Sequence, residues 1–422
     1  MIELYSLNPS AIWRRLRQEH ISFWLVCGYL FFEYVRPQTI YPAIAFVPWA
    51  ALFAVGALLA SFADKVPARP GNRLSTLIVL YGCIVLLSAS FGYDPSLSFS
   101  HLSDYFNWVI IYFAIIRTVR TKARFFIFFL LYMLCNFKMS QHGFLSWAGR
   151  GFKFDIDGVG GAPGWFQNSG EFGIQLCIFT PLIVAFIFAV QPYCKRLIRY
   201  ALYLVPITAI GSTVASSSRG ALIGLAAAGI WSVKTTKYFL RTAVVGAVLA
   251  TGVYYAIPAE SMKRFESTGS DHTSLHRLDR WAKGWATMKA HPLLGIGHKN
   301  WEEYYAENLN YGVRGTPLVH NMFVESGTEH GFTGVGTLIF IILSMFAVNK
   351  NTRMLAGQQQ DRFSISIAHG LDAATIGMAI SACFVTVLYY PYVWVQAAFV
   401  ASLNISVQSA NISGQSAAKR RP

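Results

Sequence analysis

The chain has 422 residues, of which 54% are hydrophobic, 15% aromatic and only 13% charged, with a mean hydropathy of +0.41. That balance excludes an ordinary soluble domain and describes an all-α polytopic membrane protein. The net charge of +15 would suit nucleic acid. The basic residues, however, come in short clusters between apolar runs, the pattern that membrane orientation produces, so no nucleic-acid partner is expected. The six cysteines stand singly, mostly inside apolar runs, which excludes a disulfide framework and a CxxC metal site.

In chain order, a polar opening with Trp13-Arg14-Arg15-Leu16-Arg17 precedes the first apolar run, and no small-residue cleavage site follows it. An uncleaved first span is expected. Runs able to cross about 30 Å of hydrocarbon predict twelve spans, near 21–35, 41–62, 74–92, 104–118, 124–140, 170–190, 197–215, 220–234, 239–257, 331–348, 366–390 and 391–408. The last two meet at Tyr390-Pro391 with almost no linker. One alternating set of connections holds 22 of the 35 Lys and Arg, so these connections and both termini are expected in the cytoplasm.

The chain therefore divides into 1–257, with nine spans and short loops, a long polar loop at 258–330, three more spans at 331–408, and a cytoplasmic tail at 409–422. The long loop is expected to face outward. It concentrates eight of the 35 Lys and Arg, six of the ten His and nine of the 20 acidic residues. A second outward segment near 141–169 carries Gly158, Gly160, Gly161 and Gly164 around Ala162-Pro163. Irregular backbone survives at membrane depth when buried in protein or lining a wet cavity. This segment is expected to fold over the same outer chamber as the long loop.

Within these regions a few residues could carry chemistry. Arg219 sits in Ser216-Ser217-Ser218-Arg219-Gly220, a tight turn between spans seven and eight. A cation so near hydrocarbon pairs, faces water or snorkels to headgroups, and three neighbouring hydroxyls favour a functional site. From Ser274 to Lys289, Leu278, Trp281, Ala282, Trp285 and Met288 follow helical spacing, which predicts an amphipathic helix ending before Pro292. Arg277, Arg280 and Gly284 share an adjoining face, aiming two guanidiniums one way with no side chain crowding them on the next turn. Guanidinium binds phosphate oxygens bidentately, although a helix lying on anionic headgroups would look similar.

His320 begins the approach to span ten. An imidazole titrates near neutrality and is the natural base for an alcohol, although lone histidines are commonly structural. Asn321 and Glu325, four apart, could orient or bind nearby groups. Arg36, at the outer end of span one, is a boundary cation that could touch phosphate or sugar, or anchor to headgroups. Asn168 is a possible sugar contact or a helix N-cap. Trp281, Trp285 and Trp301 could stack on sugars or pack. Asp271, His272 and His276 lack metal-ligand spacing, so neither metal nor other cofactor is expected.

Together these pieces resemble the O-antigen ligase family, itself similar to O-antigen polymerases and bacterial O-oligosaccharyltransferases. The resembling stretches are Ser217-Ser218-Arg219-Gly220, then Arg277-Leu278-Asp279-Arg280-Trp281 with His291-Pro292-Leu293-Leu294-Gly295-Ile296-Gly297, and His320-Asn321 leading to Glu329-His330-Gly331-Phe332-Thr333-Gly334. They cover about a third of the chain, and their order and spacing make the combination specific. The resemblance implies a GT-C-like bundle in the bacterial inner membrane, with its active site in the periplasm; a monomer is expected, although the sequence leaves open whether the chain acts alone. It implies metal-free, inverting transfer of a glycan from undecaprenyl diphosphate to a sugar hydroxyl of lipid A-core. Arg219 and Arg277, with Arg280 as a possible partner, would hold the diphosphate, and His320 would take the acceptor proton.

Two other acceptors fit the same donor chemistry, a growing polysaccharide or a protein. A different class, a lipid-linked glycan transporter or flippase, fits twelve spans. It would expose its site to both sides, however, whereas the polar residues here gather on one, and the two halves show no repeat.

Overall fold

In hydrocarbon, backbone polar groups have no partner but one another, and long apolar runs without two-residue alternation satisfy them as helices. The computed structural model describes residues 1–66, 72–154, 158–161, 166–234, 272–309 and 318–418, and no strand occurs among them. Helices α1 (Ile2–Tyr5) and α2 (Pro9–Leu16) precede α3 (Ile21–Tyr34), α4 (Pro37–Ile40) and α5 (Trp49–Ala60). Then follow α6 (Arg73–Phe91), α7 (Pro95–Ser100), α8 (Ser103–Thr118), α9 (Lys122–Gly149), α10 (Ser169–Val190), α11 (Arg196–Ala215) and α12 (Arg219–Lys234). The C-terminal part holds α13 (His272–Ala290), α14 (Trp301–Asn308), α15 (Met322–Gln358), α16 (Arg362–Ser381) and α17 (Pro391–Ala418).

A helix lies in each predicted span except the ninth, 239–257, which falls outside the described residues. So do 258–271, Ala162-Pro163-Gly164-Trp165, Thr316-Pro317 and Lys419 to Arg421. Among the described residues, six helices are long and apolar enough to cross a membrane: α6, α9, α10, α11, α15 and α16. The chain is a multi-pass membrane protein.

Two predicted boundaries need correction. Residues 41–48, expected within the second span, instead form turns, and α5 starts at Trp49 behind Pro48. Pro42 and Pro48 push their predecessors out of helical conformation. Spans eleven and twelve do not abut. α16 stops at Ser381, a 3-10 turn covers Ala382–Phe384, and from an extended Val385 the chain reaches Pro391 through a turn in which the Tyr390 N–H donates to the Val387 carbonyl at 3.2 Å. The unbroken apolar composition concealed this gap, which the cavity described below uses.

Helix starts follow the sequence closely. The side chains of Asn72, Thr121, Asn168, Asn321 and Asp361 each accept a first-turn backbone N–H, satisfying donors that a helix leaves orphaned. α15 is central and packs on α6, α13, α16 and α17. α10 and α12 close on α16, while α3, α5 and α8 form a second group that α8 joins to α17.

Helix α15 is broken at Gly331, whose φ of 68° and ψ of −169° suit glycine alone. The break frees the carbonyls of Thr328 and Glu329, which accept from the N–H groups of Ile296 and Gly297 at 2.8 and 3.2 Å. The Phe332 N–H donates in turn to the Pro292 carbonyl at 2.8 Å. A Cβ at Gly331 would lie 2.4 Å from the Leu293 carbonyl oxygen, and one at Gly295 2.4 Å from that of Thr328. The Pro292–Gly297 loop and the Glu329–Gly331 stretch are thus two halves of one lock.

At the other end of the bundle the basic connections are partly internal. Arg124 is 3% exposed and pairs with Glu19 and Asp64, both at 2.5 Å, while Lys122 pairs with Asp361. A buried guanidinium persists when carboxylates compensate it. This cluster ties the connections around residues 19, 64, 122 and 361 together.

Candidate active site

Opposite that basic end, the starts of α10, α12 and α15, the stretch after α16 and one side of α13 enclose a cavity of about 420 Å³. Arg219, Arg277, Lys299 and His320 line it, with Glu171 and Glu325 as its carboxylates. Each side chain arrives there for a local reason. Arg219 opens α12 behind Ser217, whose φ is 54°. The Ser218 hydroxyl accepts from the Ala221 N–H at 3.3 Å, and the Ser381 hydroxyl donates to the Gly220 carbonyl at 3.1 Å. α12 is thereby clamped to α16, and its first residue faces the cavity.

Arg277 is carried by α13, which rests on α15. Gly284 does not serve the role expected of it, leaving room beside the guanidiniums. A Cβ there would fall 2.5 Å from Cγ1 of Val324, so this glycine lets the two helices approach.

His320 has φ of 51°, a conformation costing a non-glycine residue about 1–3 kcal/mol. Three bonds hold its segment: Arg280 and Trp281 donate to the carbonyls of Leu318 and Val319 at 3.1 and 3.0 Å. The His320 N–H donates to the Thr386 hydroxyl at 2.8 Å. Burial, then the charges of Arg277 and Arg280, push the His320 imidazole down to about 4. At neutral pH it is therefore uncharged, with a lone pair to accept a proton.

Lys299, also left-handed at φ 61°, holds its ammonium 4.2 Å from the centre of the Tyr389 ring and 3.5 Å from Asp104. Burial pulls its pKa down, but Glu329, Glu325 and Asp104 outweigh that and hold it above the usual lysine value. It remains a full cation.

Behind the cavity lies a buried polar network. Glu329 accepts from the Lys299 N–H at 3.0 Å and from the Tyr389 hydroxyl. His298 bonds the His101 carbonyl at 3.0 Å and faces His330 at 3.4 Å, while His330 meets the Tyr81 hydroxyl at 3.1 Å. Burial pushes the His298 imidazole down to about 4. His298, Glu329 and His330 present ligand atoms within 4.8 Å of one another, the set that could hold a metal, yet these atoms are engaged with one another and with their neighbours. The network serves here as the rigid floor beneath Lys299 and Tyr389.

Of the residues singled out from the sequence, Arg219, Arg277, His320, Glu325 and Asn168 face one cavity. Asn168 also caps α10, accepting from the Gly170 N–H at 2.8 Å. Three others lie elsewhere. Arg280 binds the Leu318 carbonyl, Asn321 caps α15 and is 8% exposed, and Arg36 lines a separate cavity. Lys299, Glu171, Thr386, Tyr389 and Tyr390 line the chamber without having been anticipated. A signal existed for Lys299, which directly follows the Gly295-Ile296-Gly297-His298 turn. The others sit in segments that read as ordinary span.

Residues 204–349 match the family described as O-antigen ligase, a stretch containing Arg219, Arg277, Lys299 and His320. The chain is 28% identical over 120 residues to the exopolysaccharide production protein ExoQ of Rhizobium meliloti, covering 26% of each chain. It is 26% identical over 216 residues to an uncharacterized protein of Haemophilus influenzae, covering 44% of this chain and 52% of that one. The chain thus spans about half the length of one curated relative and about a quarter of the other.

Proposed function

We propose, on the match of residues 204–349 to the O-antigen ligase family, that the chamber transfers a glycan from undecaprenyl diphosphate to a sugar hydroxyl of lipid A-core. The observation that carries this is the convergence of three cations and one uncharged imidazole on one cavity. Arg219 and Arg277, with Lys299, bind the diphosphate and stabilise the charge that grows on it. His320 takes the proton of the acceptor hydroxyl.

As that oxygen bonds to the anomeric carbon from the face opposite the diphosphate, the carbon–oxygen bond to phosphate breaks. Its electron pair leaves with undecaprenyl diphosphate, and the configuration inverts. The diphosphate departs as a stable anion held by arginines, so the scheme routes no step through a metal. By the positive-inside rule the basic end lies in the cytoplasm, and the chamber opens to the periplasmic side of the inner membrane.

The kinship with an exopolysaccharide production protein favours a second reading, polymerisation, in which the acceptor is the end of another lipid-linked glycan. Purified protein, given undecaprenyl-diphosphate glycan and rough lipopolysaccharide under chelator, separates the two. Ladder bands on lipopolysaccharide support the ligase, lengthening of the lipid-linked glycan supports the polymerase, and no change in either overturns both.

A further inference from the structure

A second cavity, of about 370 Å³, lies between α3, α5 and α8 near the chamber. Its composition differs from the chamber's. Two carboxylates, Glu33 and Asp104, face a single guanidinium, Arg36, and the remaining polar lining is the amides of Gln38 and Asn107. With Asp104 already paired to Lys299, the lining sets Glu33 against Arg36 and has no excess of cation to hold a diphosphate, whereas carboxylates and amides together match hydroxyls, which both donate and accept. Trp49 and Trp108 add aromatic faces of the kind that pack against sugar rings. Arg36 is held at φ 54°, a strained conformation that clusters at ligand clamps. Its Nε and the Oε1 of Gln38 have no hydrogen-bond partner among the described residues.

The rest of the lining is largely apolar. Small side chains of α5, Ala50, Ala51 and Ala54, and the branched side chains Ile110 and Ile111 of α8 supply it. One cavity lined by both polar and apolar side chains fits an amphiphile.

Only one layer of side chains separates the two cavities. Asp104 of the second cavity pairs with Lys299 of the chamber at 3.5 Å. The Trp108 indole N–H donates to the carbonyl of Tyr389, a chamber residue, at 2.9 Å.

We infer that this cavity binds the lipid-borne saccharide acceptor, its sugars against Arg36, Gln38, Asp104 and Asn107 and its hydrocarbon against the alanines of α5. The inference rests on the transfer reading and deepens it, assigning the cationic chamber to the donor and this cavity to the acceptor. Binding energy gathered here, remote from the bond being made, positions the acceptor hydroxyl beside His320.

The test uses Asn107→Ala and Ala51→Phe, both at exposed positions, in the full chain reconstituted in nanodiscs. Rough lipopolysaccharide and undecaprenyl-diphosphate glycan are varied separately. The KM for rough lipopolysaccharide is expected to rise about tenfold, a loss of about 1.4 kcal/mol of binding, while the donor KM, which also reports correct folding, stays unchanged. An unchanged acceptor KM overturns the inference, leaving the cavity to ordinary phospholipid, and a raised donor KM overturns it in favour of the donor's tail. If wild-type protein transfers nothing to rough lipopolysaccharide, the ligase reading falls, but native mass spectrometry still decides this site. Retention of rough lipopolysaccharide by wild type and not by Ala51→Phe upholds it, and equal retention overturns it.

Discussion

Thr386→Val tests whether the backbone of His320 matters as much as its ring. The substitution keeps the side-chain shape and removes the hydroxyl that accepts from the His320 N–H at 2.8 Å. A donor left without its acceptor costs about 1–3 kcal/mol. That is comparable to the strain of about 1–3 kcal/mol in the left-handed conformation the bond helps maintain. Losing it tips His320 towards a relaxed backbone in which the imidazole leaves the chamber. Converted at 1.36 kcal/mol per decade, transfer falls about 5-fold to 150-fold. The assay is single-turnover transfer at saturating donor and acceptor. The expected loss is in kcat with the donor KM unchanged, and Thr386→Ser, which restores the hydroxyl, recovers most of it. Thr386→Val at the wild-type rate, or a serine variant as poor as the valine, would refute the reasoning.

Other consequences follow from the same geometry. Arg219→Ala and Arg277→Ala each remove a cation facing the developing charge and should lower transfer by about 100-fold or more; kinetics near wild type in either would remove that arginine from the scheme. Since the His320 imidazole lies at about 4, its base form persists as pH falls and is lost only as pH passes below about 4. The acid limb of kcat/KM, which reports the free enzyme, should lie there, and Arg277→Gln, by removing a cation, should move it upward. A wild-type limb near 6.5 would contradict the assignment. Gly331→Ala forces a Cβ to 2.4 Å from the Leu293 carbonyl oxygen at a glycine-only conformation, and should cost about 3 kcal/mol or more. Thermal unfolding in detergent reads this as a lower midpoint, and an unchanged midpoint would show that the lock between the Pro292–Gly297 loop and α15 carries no stability.

The sequence disclosed what composition and periodicity encode. Apolar length marked the helices, and helical spacing marked α13 to within two residues of its start. The resemblance in Ser217–Gly220, Arg277–Trp281 and His320-Asn321 named three side chains that face one cavity. Hidden were features set by backbone breaks and by packing across the bundle. The gap after Ser381 is as apolar as a span, so Thr386, Tyr389 and Tyr390 gave no sign of lining a chamber. Gly284 looked like open space beside arginines because helical spacing reports a face and not what presses on it. Asn321 and Arg280 are polar at the right positions, but Asn321 is claimed by the first turn of its own helix and Arg280 by the distant Leu318 carbonyl, a partner invisible without the fold. Arg36 was legible as a boundary cation, while which cavity it lines depends on how α3, α5 and α8 pack.

The central claim is that His320 is the base of a transfer carried out in this chamber. The most direct measurement is single-turnover transfer by His320→Ala in nanodiscs, beside the retention of undecaprenyl-diphosphate glycan by the same preparation. The account predicts that the donor is still retained, because Arg219, Arg277 and Lys299 remain, while transfer falls by about 100-fold to 10,000-fold. Transfer within a few-fold of wild type, with the donor equally retained, would contradict it.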